Sequence, residues 1–174
     1  MKLIKPSKRY KNSFLAALKE IELEGADKQK GVKVDLDIND NNFDDYLRKW
    51  RNEAKGVNLK RGRVPASIFW LVDNEEFIGR LSIRHRLNAN LRKMGGHIGY
   101  WIRPSKRRQG YGTKILELGL KKAKQLGIKN ILVTCDKDNK GSIKIIEKNH
   151  GKFKNEIVYN KNKKPKKRYW IKNT

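Results

Sequence analysis

The sequence has few of the features that mark secreted and membrane proteins. Its 174 residues include one cysteine, Cys135, so no disulfide can form within the chain. Its longest apolar runs fall far short of the ~20 residues that span a bilayer. The first residues, MKLIKP, lack the continuous apolar core and the cleavage site of a signal peptide. These absences predict a cytoplasmic protein with no membrane partner.

Acidic residues are also scarce: 18 Asp and Glu stand against 43 Lys and Arg, which gives a formal net charge of +25. Such a charge attracts polyanions, whether a coenzyme, a nucleic acid or an acidic protein surface, but it does not determine a fold. Apolar residues make up 37% of the chain and are clustered along it. Because this length suits one domain with a proper core, we expect a single domain over residues 1–174.

Two amphipathic helices are predicted within residues 13–55. Ser13 is placed to cap the first helix, whose apolar face would contain Phe14, Leu15, Leu18 and Ile21. The second helix would bury side chains at helical spacing, namely Phe43, Tyr46, Leu47, Trp50 and Ala54. The polar residues 24–42 between the two helices are expected to form a loop.

The pattern then becomes strand-like. Residues 67–72 and 77–83 predict a β-hairpin, and a polar loop at 85–96 leads to a strand at 97–102. The remaining predicted elements are a helix at 113–125, a strand at 130–135, a helix at 139–148 and a terminal hairpin at 152–172. Helices thus come first, then antiparallel strands, then a strand–helix–strand crossover. This order predicts an α/β fold of the α+β type, with a mixed, mostly antiparallel central sheet flanked by helices.

The most informative segment is a strand with the sequence IGYWIRP, followed by the basic turn RRQGYGT at residues 107–113. A helix opens from this turn, and backbone N–H groups at a helix N-terminus bind anions. Gly110 and Gly112 would let the backbone approach a phosphate closely, and Arg107 and Arg108 would add charged contacts. The segment therefore predicts a site for the diphosphate of a nucleotide-like cofactor.

Two other glycine-loop patterns fit this segment less well. A dinucleotide-binding fold requires Gly-x-Gly-x-x-Gly, and the position of the third glycine holds Ile115. A phosphate-loop nucleotidase requires Gly-Lys-Ser/Thr, whereas here Gly112 is followed by Thr113 and then Lys114. Neither pattern is met.

The turn resembles the cofactor motif of the GNAT N-acetyltransferases, Gln/Arg-x-x-Gly-x-Gly/Ala, which stands here as RRQGYG. Residues 139–142, NKGS, resemble the family's helix opening Asn-x-x-Ser/Ala, and residues 147–153, EKNHGKF, resemble its Glu-Lys-x-Gly-Phe ending. Residues 96–104 resemble the family's splayed fourth strand. The resemblance covers residues 67–155, and the segments RH, GGHIGY and RYWI are similar to a bacterial branch with no assigned substrate.

The resemblance implies an enzyme that moves an acetyl group from acetyl-CoA to a primary amine, on a small molecule or a protein, by direct attack in a ternary complex. No metal is expected. The pantetheine arm would pair with the backbone of Ile102 and Arg103, and an amide near Trp101 or Ile102 would stabilise the thioester oxygen. The residues implied to bind the cofactor are Ile102, Arg103, Arg107, Arg108, Gln109, Gly110, Tyr111, Gly112, Thr113, Asn139 and Ser142.

The group that takes the proton from the amine is less clear, because the fourth strand offers no carboxylate. His97 at its start and His85 near the end of the preceding strand are candidate bases, since histidine titrates in a useful range. Each could equally be a structural residue. Where many relatives use a Tyr on the last helix to protonate the leaving thiolate, this chain has Ile146. Tyr100 and His150 are weaker candidates for that acid.

Several residues also have a purely structural interpretation, and other functions stay open. Asn139 is a good helix cap with Ser142 in the first turn, and Cys135 is expected to be a buried thiol rather than a nucleophile. The net charge and the run KNKKPKKR at residues 161–168 leave a nucleic-acid-binding protein as an alternative, although no reading motif is visible. A second alternative is a GNAT domain that binds acyl-CoA without transferring it. A homodimer is also left open.

Overall fold

The computed structural model describes residues 1–25, 36–158 and 164–173. Within these ranges the strands are β1 Lys2–Ile4, β2 Ala66–Asp73, β3 Glu76–Arg84, β4 Ile98–Ile102, β5 Asn130–Asp136, β6 Lys152–Ile157 and β7 Lys166–Lys172. The α-helices are α1 Lys11–Glu24, α2 Phe43–Lys55, α3 Tyr111–Gln125 and α4 Lys140–Lys148. None of these described helices has both the length and the apolar character needed to cross a membrane.

All seven strands belong to one sheet with the order β1-β2-β3-β4-β5-β7-β6. Neighbouring strands are antiparallel except β4 and β5, which are parallel. Parallel strands need a long crossover connection, and α3 lies in it. The predicted α/β fold with a mixed, mostly antiparallel sheet flanked by helices is therefore confirmed.

The helices cover opposite faces of the sheet, because successive strand residues point to opposite sides. On one face, α3 and α4 pack on an aliphatic core that includes Leu81, Ile83 and Ile115. On the other face, α1 and α2 pack on an aromatic core in which the Phe14 ring stacks on Trp70 with centroids 4.5 Å apart. Full burial of a side chain such as Phe14 stabilises the fold by about 2–3 kcal/mol. The site described below lies between these two cores.

Helix α1 begins at Lys11, and the predicted cap at Ser13 is wrong. Ser7 caps the preceding 3₁₀ turn by accepting a hydrogen bond from the Arg9 amide at 3.4 Å. The Ser13 hydroxyl lies inside the helix and accepts a hydrogen bond from the Phe77 amide of β3 at 2.9 Å. Ser13 therefore ties α1 to the sheet instead of starting the helix.

Other differences from the predicted elements are small. The pattern does not predict β1, because three residues are too few to show a period. The predicted polar loop at 85–96 contains one π-helical turn, Leu91–Gly95. The terminal hairpin is present as β6 and β7, while residues 159–163 of its predicted end and tip lie outside the described residues.

Candidate active site

The turn between β4 and α3 leaves a run of backbone amides unbonded. Arg108 and Gly110 have left-handed φ values of +63° and +84°. The backbone N–H groups from Arg108 to Gly112 donate no hydrogen bond to any acceptor in the described part of the chain. The Gly110 carbonyl accepts the first helical hydrogen bond, from the Thr113 amide at 3.0 Å. Unbonded amides at the positive end of a helix favour an anion.

The two glycines of this turn are required for different reasons. A Cβ added at Gly110 would meet no described atom within 4 Å, so the positive φ alone favours glycine there and the adjoining space is open. A Cβ added at Gly112 would lie 2.5 Å from Ile145 Cδ1 in α4. Gly112 therefore allows the close packing of α3 and α4, a role that its position in the motif does not reveal.

Two carboxylates of α1 hold the turn in place. Glu20 accepts hydrogen bonds from Arg103 Nε at 2.7 Å and from the Ser105 amide at 3.0 Å. Burial by itself raises the pKa of Glu20, but the hydrogen bonds from Ser105 and Arg103 outweigh it and hold that pKa below its ordinary value. Glu24 accepts two hydrogen bonds from Arg107 Nη1, at 2.8 and 3.0 Å. Arg103 and Arg107 thus brace the turn.

Strands β4 and β5 diverge directly after their bridge, which within the described residues consists of Ile98 and Val133 alone. His97 lies at the closed end of this opening. Its amide donates to the Leu132 carbonyl at 2.7 Å, and its Nδ1 accepts a hydrogen bond from the Leu132 amide at 3.0 Å. The ring therefore replaces a strand partner at the point where the two strands separate.

The ladder between β3 and β4 decides which backbone groups face this opening. The Arg103 amide donates to the Ile78 carbonyl at 2.9 Å, and it therefore points towards β3. Because hydrogen-bonding directions alternate along an antiparallel strand, the backbone groups of Tyr100 and Ile102 point the other way, into the opening. The pairing predicted for Ile102 fits this geometry, whereas the one predicted for Arg103 does not, because its amide is already bonded to β3.

The wall opposite β4 is formed by the end of β5 and the start of α4. Asn139 caps α4, because its Oδ1 accepts a hydrogen bond from the Ser142 amide at 3.0 Å. The Tyr100 side chain lies beside Ser142, and burial raises the pKa of Tyr100 far above its usual range. Burial, together with the nearby Asp136, raises the pKa of Cys135 to about 11. The buried thiol therefore stays protonated near neutral pH.

A cleft of about 630 Å³ opens between this wall and helix α2. Asn139, Ser142 and Tyr100 line it, whereas the turn 107–113 is not part of its described lining. Helix α4 connects the turn with the cleft. Its first turn lines the cleft, and the side-chain Nδ2 of Asn149, which follows the helix, donates to the Thr113 carbonyl at 3.2 Å.

Neither predicted histidine base is among the described residues that line the cleft. His85 Nε2 lies 2.9 Å from Ser67 Oγ, and burial lowers the pKa of His85. The His97 ring is engaged by Leu132, and burial, then the charges of Arg92 and Arg84, lowers the pKa of His97 to about 4. Near neutral pH His97 is uncharged, with Nδ1 already accepting a hydrogen bond.

The α2 end of the cleft contains a buried carboxylate that the strand patterns do not reveal. Glu53 is 7% exposed, and its Oε1 lies 3.7 Å from Arg63 Nη1. Its Oε2 is buried without a hydrogen-bond partner among the described residues. A second carboxylate of the cleft, Asp136, is held by Lys166 at 2.5 Å. Glu53 shares a helix face with the buried Trp50, and an acidic residue on an apolar stripe is the signal that could have identified it.

The sequence matches the family model described as the acetyltransferase (GNAT) domain over residues 27–152. A comparison with curated proteins finds no significant match. Among solved structures, the chain is similar to RimJ of Mycobacterium smegmatis in complex with CoA-disulfide, with a TM-score of 0.72 at 17% identity. That similarity covers 98% of this chain and 80% of the other.

Two further structures are similar over 98% of this chain. One is the microcin C7 self immunity acetyltransferase MccE in complex with acetyl-CoA and AMP, with a TM-score of 0.69, 14% identity and 91% of that chain covered. The other is a Salmonella typhimurium acetyltransferase that modifies the N-terminal serine of ribosomal protein L7/L12, with a TM-score of 0.67, 15% identity and 93% of that chain covered. At these identities the similarity establishes the fold.

Proposed function

Because the chain belongs to the GNAT acetyltransferase family, we propose that it moves an acetyl group from acetyl-CoA to a primary amine by direct attack in a ternary complex. The observation that carries this proposal is the run of unbonded amides from Arg108 to Gly112, at the start of a helix and next to an opened strand pair. The amides suit an anion, and the opening between the strands suits an extended arm attached to that anion. Acetyl-CoA has both groups, because its diphosphate is followed by the pantetheine arm.

The diphosphate is assigned to the amides of residues 108–112. Three features support this assignment: the open space at Gly110, the left-handed backbone of Arg108 and the exposed Arg108 side chain. A phosphate bound by several backbone amides at a helix N-terminus gains charge-assisted hydrogen bonds. In this proposal Arg107 positions the turn through Glu24 rather than contacting the phosphates.

The pantetheine arm is assigned to the opening between β4 and β5, paired with the backbone of Tyr100 and Ile102. The Ile102 carbonyl already accepts a hydrogen bond from Arg107 Nε at 3.1 Å, so the Ile102 amide is the group left to donate. An amide aimed at the thioester oxygen stabilises the negative charge that develops on it during attack. Asn139 and Ser142 line the other side of the arm.

The leaving thiolate is assigned to the space beside Tyr100. The raised pKa of this phenol makes it a poor proton donor, so its O–H acts as a hydrogen-bond donor to the sulfur. A thiolate leaves readily at neutral pH because the pKa of a thiol is only about 8.5. The protonated Cys135 thiol is a weak nucleophile, which supports direct transfer to the amine without an acyl-enzyme.

Glu53 is assigned as the general base that takes the proton from the amine. This carboxylate lines the cleft and is buried, whereas Asp136 is engaged by Lys166. A general base needs a free lone pair within reach of the nucleophile, and Glu53 Oε2 supplies one. His85 remains the alternative base, and His97 is assigned a structural role at the strand junction.

Calorimetric titration with acetyl-CoA, followed by thiol release with a panel of primary amines, tests the proposal. We expect uptake of one coenzyme per chain and amine-dependent release of CoA. Binding without release for any amine would favour the non-catalytic acyl-CoA domain. No uptake, combined with nucleic-acid affinity that falls steeply with salt, would favour the nucleic-acid-binding alternative.

A further inference from the structure

The α2 end of the cleft is lined by arginines that strand alternation places on one side. Arg80, Ser82 and Arg84 occupy every second position of β3 and line the cleft, while Leu81 and Ile83 between them belong to the aliphatic core. Alternate residues of a strand share a face. The two guanidinium groups are therefore carried by the sheet itself and not by a mobile surface segment.

Both arginines are held in fixed positions. Arg80 is 7% exposed, and its guanidinium lies 4.7 Å from the centre of the Trp50 ring. Arg84 Nη1 donates to the Gly95 and Gly96 carbonyls at 3.1 and 3.0 Å. A planar guanidinium that is oriented in advance loses little entropy when it forms paired hydrogen bonds to a carboxylate or phosphate.

Among the described residues that line this end of the cleft, positive side chains outnumber negative ones. Arg63 and Lys60 also line it, and the Glu53 carboxylate lies beside Arg63. Burial, and then the charges of Arg63 and Arg80, lowers the pKa of Arg84, so each of these two cations repels Arg84. A bound anion would relieve that repulsion in a site where water screens charges poorly.

We propose that the acceptor carries a carboxylate or phosphate on the same molecule as its amine, and that Arg63, Arg80 and Arg84 bind this anion while Glu53 receives the amine. This inference rests on the proposed acetyl transfer. It excludes polycations such as polyamines and aminoglycosides as preferred acceptors, because additional ammonium groups would add to the repulsion in the cleft. It makes the cationic cluster the determinant of acceptor specificity.

Matched pairs of amines test the proposal in a thiol-release assay. Phosphoethanolamine is compared with ethanolamine and β-alanine with β-alaninamide, so that the two arms distinguish phosphate from carboxylate, and spermidine serves as the polycation. We expect kcat/KM for the anionic member of at least one pair to exceed that of its partner about tenfold or more. With the enzyme saturated with CoA, the preferred anionic amine should also raise the melting temperature, and its partner should not.

Variants assign that preference to the cluster. Arg80→Gln should reduce the preference for the anionic amine severalfold or more. If that variant is poorly folded, Arg63→Gln should do the same. Arg61→Gln makes the same charge change in a nearby exposed position outside the described cleft lining and should leave the preference intact.

Faster transfer to spermidine or to the neutral partners, with normal acetyl-CoA uptake, would overturn the anionic acceptor and leave acetyl transfer standing. Equal reduction of the preference by Arg61→Gln and Arg80→Gln would overturn the assignment of that preference to the arginine cluster, again leaving acetyl transfer standing. Absence of coenzyme uptake would overturn the proposed function and this inference together.

Discussion

The two ends of the site are built in opposite ways. The coenzyme end, residues 107–113, where we propose that the diphosphate binds, is one continuous segment that offers backbone amides and is braced from α1 by Glu20 and Glu24. The acceptor end, the proposed pocket for the amine, brings together side chains from α2, β3 and the loop between α2 and β2, with Glu53 beside the arginines. Backbone amides attract an anion whatever the local side chains are, whereas side chains select a particular acceptor. A change at one end should therefore leave the other end working.

The largest expected effect is a loss of acetyl-CoA affinity in a chain that keeps its fold. Gly110→Asp places a carboxylate where the diphosphate is proposed to lie, and we expect acetyl-CoA affinity to fall ~1,000-fold, or about 4 kcal/mol. Calorimetric titration measures the loss. The fold should remain, because a Cβ at this position meets no described atom.

Gly127→Asp is the matched control for that variant. Gly127 follows α3, has a φ of +76° and also has open space around its Cβ position, so it shares the backbone strain of Gly110 without its place beside the unbonded amides. Both variants should lose about 1 kcal/mol of stability from strain. Equal loss of acetyl-CoA affinity in the two variants would contradict the assigned diphosphate site.

The next effect concerns the junction between β4 and β5, where His97 bonds to Leu132. The pKa of about 4 in the folded chain lies below the 6.5 of the unfolded one. The stability that the neutral ring contributes is therefore complete above pH 6.5 and is lost as the pH falls towards 4, by about 3 kcal/mol. His97→Asn keeps an acceptor for the Leu132 amide but does not titrate in this range. The free energy of unfolding, measured with urea, should fall more steeply between pH 7.5 and 4 for the wild type than for this variant.

The same variant tests the role in catalysis that the sequence suggested for His97. A structural ring predicts kcat/KM within a few-fold of the wild type at pH 7.5. Removal of a general base would instead lower it ~100-fold or more. A loss of that size, with unchanged pH dependence of unfolding, would return His97 to the position of base.

The third effect belongs to the acceptor end alone. Glu53→Gln keeps the size of the side chain but removes the proposed base, so we expect kcat/KM to fall ~100-fold with acetyl-CoA affinity unchanged. Glu22→Gln, at an exposed position of α1, is the control for loss of one carboxylate and should have no effect. If His85→Asn lowers the rate and Glu53→Gln does not, His85 is the base.

The turn and the helix cap at the proposed coenzyme end could be predicted from the sequence because their signals are local. A glycine of positive φ before a helix and a capping Asn139 are visible within a few neighbouring residues. Both amphipathic helices of the aromatic core were also visible from their period. The start of α1 at Lys11 was not, because the Ser13 hydroxyl that suggested a cap instead bonds to Phe77, 64 positions away in the sequence.

The acceptor end could not be predicted because its residues meet only in three dimensions. Glu53 belongs to α2 and Arg63 to the loop that follows it, and Arg80 packs on Trp50 from β3. Apart from the position of Glu53 on the apolar stripe of α2, each of them alone is an ordinary charged residue in a chain that is rich in charge. The hydrogen bond of His97 to Leu132 was hidden from the sequence for the same reason, since the two residues are 35 positions apart. Local patterns indicate the backbone that we propose binds the coenzyme, and contacts distant in sequence form the pocket that we propose for the acceptor.

The smallest expected effect tests whether Gly112 belongs to the coenzyme end or only to the packing behind it. Gly112→Ala brings a Cβ to 2.5 Å from Ile145 Cδ1 and should cost about 1–2 kcal/mol of stability in urea unfolding. Ile145→Val removes that Cδ1 atom, so the double variant should recover most of the loss, with a coupling of about 1 kcal/mol in a double-mutant cycle. Acetyl-CoA affinity of the double variant should then match that of Ile145→Val. If stability is restored but acetyl-CoA affinity is still lost, the phosphate itself requires that residue 112 has no Cβ. The two glycines would then act on the coenzyme together, as the motif by itself suggests.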